Sequence, residues 1–198
     1  MNSAAILEEF GCIAVQQGLR LKTIQHASNV TADRNYGEHE EQNFIEFLAT
    51  HNIQATLANN GTVITYGSQK LILPDTQANG LYFENKIKYP TFGGLFGLEA
   101  YRFNSLKTLQ DSIPGYDKIY YVINPNVRPN TSVTERGLAN IERAGLTAGQ
   151  RIIASIDSLI PDKTFDSATY CAGQRRNVPT HYFHVSQFQL LDVNTLFA

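Results

Sequence analysis

Three strand-length apolar runs lie close together in the first half of the chain: TVITY at 62–66, KLILP at 70–74 and LYFENKI at 81–87. ANNG precedes the first and ANG precedes the third, and Asn-Gly between apolar runs is a strong turn signal. This spacing predicts a meander of antiparallel strands. The flanking segments have a different period. Ala4 to Leu19 repeats apolar residues at Ile6, Phe10, Ile13 and Ala14, which predicts a helix. From Glu38 to His51, EHEEQNFIEFLATH puts Phe44, Ile45, Phe47 and Leu48 on one side, with acids crowding a first turn where the helix dipole favours them. The polar, turn-rich HASNVTADRNYG separates these two helices.

Beyond the strands, TFGGLFG at 91–97 lacks the lysine and spacing of a phosphate-binding loop and reads as a flexible connection. LEAYRFNSLKTLQDSI is predicted as an amphipathic helix using Leu98, Tyr101, Leu106 and Leu109, and it stops at PGYD. KIYYVIN at 118–124 is the clearest buried strand. SVTERGLANIERAG and TAGQRIIASIDSLI read as two further helices, with Thr131, Ser132 or Thr134 capping the first and Thr147 the second. THYFHVSQF at 180–188 reads as a strand. The order of helix, three strands, helix, strand, helices and strand indicates a mixed α/β domain around one central sheet. A length of 198 residues suits one such domain plus a terminal extension, here residues 1–30, an N-terminal helical extension.

With 42% hydrophobic and 17% charged residues, the chain has the composition of a soluble globular protein. Its apolar stretches are too short to span a bilayer. An acidic pair, Glu8-Glu9, and no basic leader argue against a signal peptide. Cys12 and Cys171 fit no metal-ligand spacing; they suit free thiols in a reducing cytosol, with a bridge between them left open. The expected location is cytoplasmic, or the host-cell cytoplasm if the protein is phage-encoded. The net charge of −2 argues mildly against a protein that grips DNA by charge alone. The carboxylates of a metal-binding cleft would produce the same balance.

The charges inside the apolar hairpin carry the chemistry. Residues two apart in a strand face the same side, so Glu84 and Lys86 project together with Tyr82. If the turn before them closes a hairpin, Asp75, at the end of the preceding strand, converges on Glu84. Two carboxylates are hard oxygen ligands suited to Mg²⁺. An adjacent ammonium can orient water or stabilise a phosphate on which negative charge builds. Read alone, E-x-K is expected about once by chance in a chain of this length, and a Glu/Lys pair on one strand face more commonly marks a solvated surface. The preceding Pro74-Asp75, the apolar embedding and the acid-rich helix before the hairpin shift the balance toward a site.

Pro74-Asp75 followed, after eight intervening residues, by Glu84-Asn85-Lys86 resembles the signature of the PD-(D/E)xK nuclease superfamily. The stretch LPDTQANGLYFENK is similar in layout to that of phage and archaeal Holliday-junction resolvases. The likeness covers roughly residues 36 to 125, and Asn85 departs from the apolar residue usual at that position. The resemblance implies a restriction-endonuclease-like α/β fold, with a mixed central sheet flanked by helices, occupying residues 31–198. It implies Asp75 and Glu84 as metal ligands, Lys86 as the water-orienting base, and Mg²⁺ as cofactor with Mn²⁺ as substitute. Many members add a glutamate from the first core helix. Glu38, Glu40, Glu41 and Glu46 are available there; Glu41 shares the inward stripe and is the first choice, Glu40 the second, although helix-dipole acids explain each about as well.

The implied activity is endonucleolytic hydrolysis of DNA phosphodiesters by a restriction-like, homing or phage-type enzyme. The implied partner is DNA, with no membrane, and a homodimer or higher homo-oligomer supplies two sites for two strands. Lys88, Arg102 and Lys107 are candidate phosphate contacts, equally explained as surface charge. Arg175 and Arg176, with His181 and His184, fit a nucleic-acid groove, with an edge strand and basic loop slightly ahead. Two rivals stand: a non-catalytic nucleic-acid-binding or phage or mobile-element structural protein that keeps a nuclease-like fold, and an RNA nuclease.

Overall fold

The computed structural model describes residues 40–58, 63–127, 134–171 and 174–198, with the backbone alone at 134 and 168–176. The predicted helix at Ala4 to Leu19, the 1–30 extension and Glu38 lie outside these residues, as do Cys12 and the side chains of Cys171, Arg175 and Arg176.

Helix α1 covers residues 40–49. Strands β1 (Thr56–Leu57), β2 (Val63–Tyr66), β3 (Gln69–Ile72), β4 (Thr76–Ala78), β5 (Leu81–Lys88) and β6 (Leu95–Glu99) follow. Then come α2 (Ala100–Ser112), β7 (Ile119–Pro125), α3 (Thr134–Arg143), β8 (Ile152–Ser155), β9 (Lys163–Cys171), β10 (Gln174–His184), β11 (Gln189–Leu190) and a short closing helix α4 (Val193–Leu196). The central sheet has six strands in the order β1-β4-β5-β7-β8-β11. Only β5 and β7 run parallel; their neighbours pair antiparallel, so the sheet is mixed. The crossover between the parallel strands carries β6 and α2.

β7 is buried on both faces, and its alternation assigns each side. Ile119, Tyr121 and Ile123 enter one apolar cluster with Phe103, Leu106 and Leu109 of α2. Val122 enters the other, with Phe44 and Leu48 of α1 and Val193 of α4. Each fully buried Leu, Ile or Phe among them contributes about 1.5–3 kcal/mol relative to exposure. A second sheet, ordered β6-β10-β9, joins the first cluster through Phe96, Leu98 and Phe183. No helix of the described residues is long and apolar enough to cross a membrane.

Four expectations need correction. The three-strand meander is divided: β2 and β3 form their own two-stranded sheet, and β5 pairs instead with the short β4 that follows Asp75. The 91–97 segment is a connection only at its start, a hydrogen-bonded turn, because β6 begins at Leu95 and takes Leu98 out of the predicted helix. RIIAS is strand β8, not helix: the consecutive Ile152 and Ile153 fill opposite faces of the sheet, which a helix with one apolar face could not arrange. β9 carries too little apolar alternation to have been read, and the predicted strand at 180–188 is the end of a longer β10 followed by a 3₁₀ turn.

Candidate active site

A two-residue turn sets the geometry. Asn79 and Gly80 both have positive φ, 49° and 77°, the backbone that a tight type I′ hairpin needs and that Asn-Gly supplies at least cost. The turn fixes the register Ala78↔Leu81, Gln77↔Tyr82, Thr76↔Phe83. The next position along brings Asp75 beside Glu84. The Asp75 backbone is held on both sides, its N–H donating to Phe83 O and its carbonyl accepting from Ala58 N–H, each at 2.9 Å.

Four charged side chains meet there. Lys86 Nζ lies 3.1 Å from Asp75 Oδ2 and also pairs with Glu84 Oε1. Arg102 arrives from the first turn of α2, donating Nη2 to Asp75 Oδ1 at 2.6 Å and Nε to Glu84 Oε1. Asn85 N–H donates to Asp75 Oδ2 at 2.8 Å, and the Asn85 side-chain amide donates to Thr76 Oγ1 at 2.8 Å. The polar residue at the middle of E-x-K thus ties the two strands together on the opposite face. Asp75, Glu84 and Arg102 are buried, and Lys86 keeps 24% of its side chain exposed.

Electrostatics follow from this packing. Burial would raise Asp75, but Lys86, Arg102 and the Asn85 N–H together hold it below the ordinary carboxylate range. Burial dominates at Glu84 and raises it, with Asp75 adding to the rise and Arg102 and Lys86 opposing it. Burial would lower Lys86, yet Asp75 and Glu84 keep the ammonium charged well above its usual range. Arg102 is likewise raised: Glu84 and Asp75 outweigh its desolvation. Glu41, on α1, belongs to the same field: burial first, then the charges of Asp75 and Glu84, push its carboxyl up to about 8.

Glu40 is a correction. It is 2% exposed on the Phe44–Leu48 stripe, and its carboxylate is already occupied. Arg151 donates Nη2 and Nε to Glu40 Oε1 at 2.9 and 3.1 Å, and Asn124 Nδ2 donates to Oε2 at 2.8 Å. Arg151 also lies over the Phe47 ring at 4.8 Å. Glu40 therefore anchors α1 to Asn124 of β7 and to Arg151 at the start of β8.

Arg102 is a second correction: it is not a surface phosphate contact but a buried member of the cluster. The inward stripe of α2 reads Arg102, Ser105, Leu106, Leu109, so an arginine at a core position is the sequence signal of its burial. Lys107 is roughly 140° around the helix from Arg102 and does not share its direction. Lys88 is half-buried and donates Nζ to Gly97 O at 2.6 Å; it is not an exposed cation either. Arg175 and Arg176 fall on β10, remote in register from the β6 pairing, which starts at Thr180.

Does this set fit a divalent cation? Among the described residues no three His, Cys, Asp or Glu side chains surround one point closely enough to hold an ion. Arg102 and Lys86 take the oxygens that Asp75 and Glu84 turn toward each other. Yet Glu84 Oε2 is buried without a hydrogen-bond partner, and a buried carboxylate oxygen left so is costly. With Glu41 nearby, the donors are all hard oxygens, the chemistry Mg²⁺ and Mn²⁺ prefer. The residues fit such an ion at Glu84 Oε2, provided Arg102 or Lys86 yields part of its hold. Comparison with family models, with curated proteins and with solved structures gives no match for this chain.

Proposed function

We propose that this protein is a divalent-metal-dependent endonuclease that hydrolyses DNA phosphodiester bonds, with Asp75, Glu84 and Lys86 at its centre. The observation that carries the reading is the meeting of these three side chains with Arg102 beside a buried, unpartnered Glu84 oxygen. In this reading the fold is restriction-endonuclease-like, and Asp75, Glu84 and Glu41 hold Mg²⁺. The ion would supply Lewis-acid polarisation of the phosphoryl group and a more acidic water. Lys86, paired with both carboxylates, acts as a donor that orients water and offsets the charge growing on the phosphate. Arg102 positions both carboxylates. The enzyme works in the cytoplasm as a homodimer, each copy serving one strand.

A second reading has an observation of its own. Lys86 and Arg102 already balance Asp75 and Glu84 charge for charge, as suits a nucleic-acid-binding protein that retains the constellation without catalysis. Supercoiled plasmid, branched DNA and RNA incubated with Mg²⁺ or Mn²⁺, against EDTA controls, separate the two. The proposal expects metal-dependent cuts in DNA. Intact substrates throughout would leave only the binding reading, and cleavage confined to RNA would change the substrate.

A further inference from the structure

β5 continues past the cluster, and Glu84, Lys86 and Lys88 project from the same face at intervals of about 7 Å. Beyond Lys86 this face becomes the floor of a cavity of about 430 Å³ between β5, β6 and β10, lined by Lys88, Thr91, Glu99, Asn126, Thr180 and Tyr182. That volume lies at the lower end of small-ligand sites, roomy enough for one nucleotide and far too small for a duplex.

The charge pattern narrows the ligand. Lys88 and Glu99, one cation and one carboxylate, both line the cavity, so it is balanced in charge and offers no net attraction to a phosphate. Around that pair the lining mixes donors and acceptors: an ammonium, a carboxylate, an amide and hydroxyls. This is the complement of a neutral ring with polar edges. The Tyr182 ring is fixed: Phe165 stacks on it at 4.2 Å, and Gly97 allows the β6 backbone to come close, because a Cβ there would stand 3.1 Å from Tyr182 Cε1. The wall of the cavity is therefore preformed.

We infer that this cavity receives the base of one unpaired nucleotide next to the scissile phosphate, so that the substrate is single-stranded, bulged or locally opened DNA rather than an intact duplex. The inference rests on the nuclease reading for the location of the phosphate, but binding tests it without cleavage. A paired base must leave its stack to enter such a pocket, which costs a few kcal/mol, and an unpaired base avoids most of that cost.

Fluorescence anisotropy, with Ca²⁺ in place of Mg²⁺, compares a perfect duplex with the same duplex carrying a single-nucleotide bulge. The wild type is expected to bind the bulged DNA at least tenfold more tightly. Tyr182→Phe, which keeps the ring and the Phe165 stack, and Glu99→Gln are expected to shrink that preference several-fold. Equal affinities for the two DNAs overturn the pocket, and duplex cleavage by the same preparation would still uphold the nuclease reading. A bulge preference unchanged in both variants places the unpaired base elsewhere and also overturns it. A preference lost in the variants, in a protein that cuts nothing, keeps the pocket and removes the nuclease. No binding to either DNA overturns both.

Discussion

Asp75 and Glu84 stand side by side because the turn between their strands is two residues long. The Ala78↔Leu81 pair that flanks Asn79 and Gly80 fixes every later pairing of β4 with β5. A slip of one residue would send one of the two carboxylates to the other face of the sheet.

Gly80 should therefore resist substitution for a backbone reason alone. At φ 77° nothing lies within 4 Å of where its Cβ would be, so space is not the obstacle. Gly80→Val should cost about 1–2 kcal/mol from the left-handed conformation, and Gly80→Asn clearly less. Urea denaturation midpoints of the two variants provide the comparison.

Arg102 holds both buried carboxylates, and its loss leaves them facing each other. Arg102→Gln is expected to destabilise the fold by about 3–5 kcal/mol, the usual cost of removing one partner from a buried ion pair. Millimolar Mn²⁺ should then raise the melting temperature of Arg102→Gln more than that of the wild type, since a cation can replace the missing charge. Equal shifts would mean that the carboxylates do not bind the ion.

Glu41 gives the chain a pH dependence of defined sign. Its carboxyl titrates at about 8 when folded, against an ordinary value of 4.5, so the folded chain holds that proton more tightly than the unfolded chain. Ionisation works against folding, and stability is lost as pH rises from about 4.5 through 8. Glu41→Gln has no proton to lose. Its stability relative to wild type should grow across that window by on the order of 1–3 kcal/mol, after allowance for solvent screening. Chemical denaturation at a series of pH values measures the difference.

Glu40 and Arg151 make a separate prediction. Arg151→Met removes the guanidinium from a glutamate that is 2% exposed, and about 3 kcal/mol should be lost. Adding Glu40→Gln should recover part of it, a coupling that a double-mutant cycle reads directly.

Much of this was legible in the chain. Strand periodicity placed Glu84 and Lys86 on one face, Asn-Gly marked the turn, and the acid-rich stretch before it marked α1. What escaped has physical causes. Period alone cannot tell a short buried strand from a helix, so Ile152 and Ile153 were assigned to the wrong element. Glu40 and Glu41 are neighbours, and that Glu40 is taken up in an ion pair depends on Arg151, 111 residues away from it in the chain. Arg102 looked like surface charge because a buried arginine makes sense only once the two carboxylates are known to converge on it. The Lys88–Glu99 cavity needed β6 and β10 brought together, and nothing in their sequences announces that pairing.

The most direct measurement of the central claim is the anomalous density of crystals soaked in Mn²⁺. A peak bonded to Glu84 Oε2 and Asp75, with Arg102 or Lys86 drawn back to admit it, is the predicted result. Full-occupancy Mn²⁺ bound elsewhere, with the Asp75–Arg102–Glu84 contacts intact, would contradict the account.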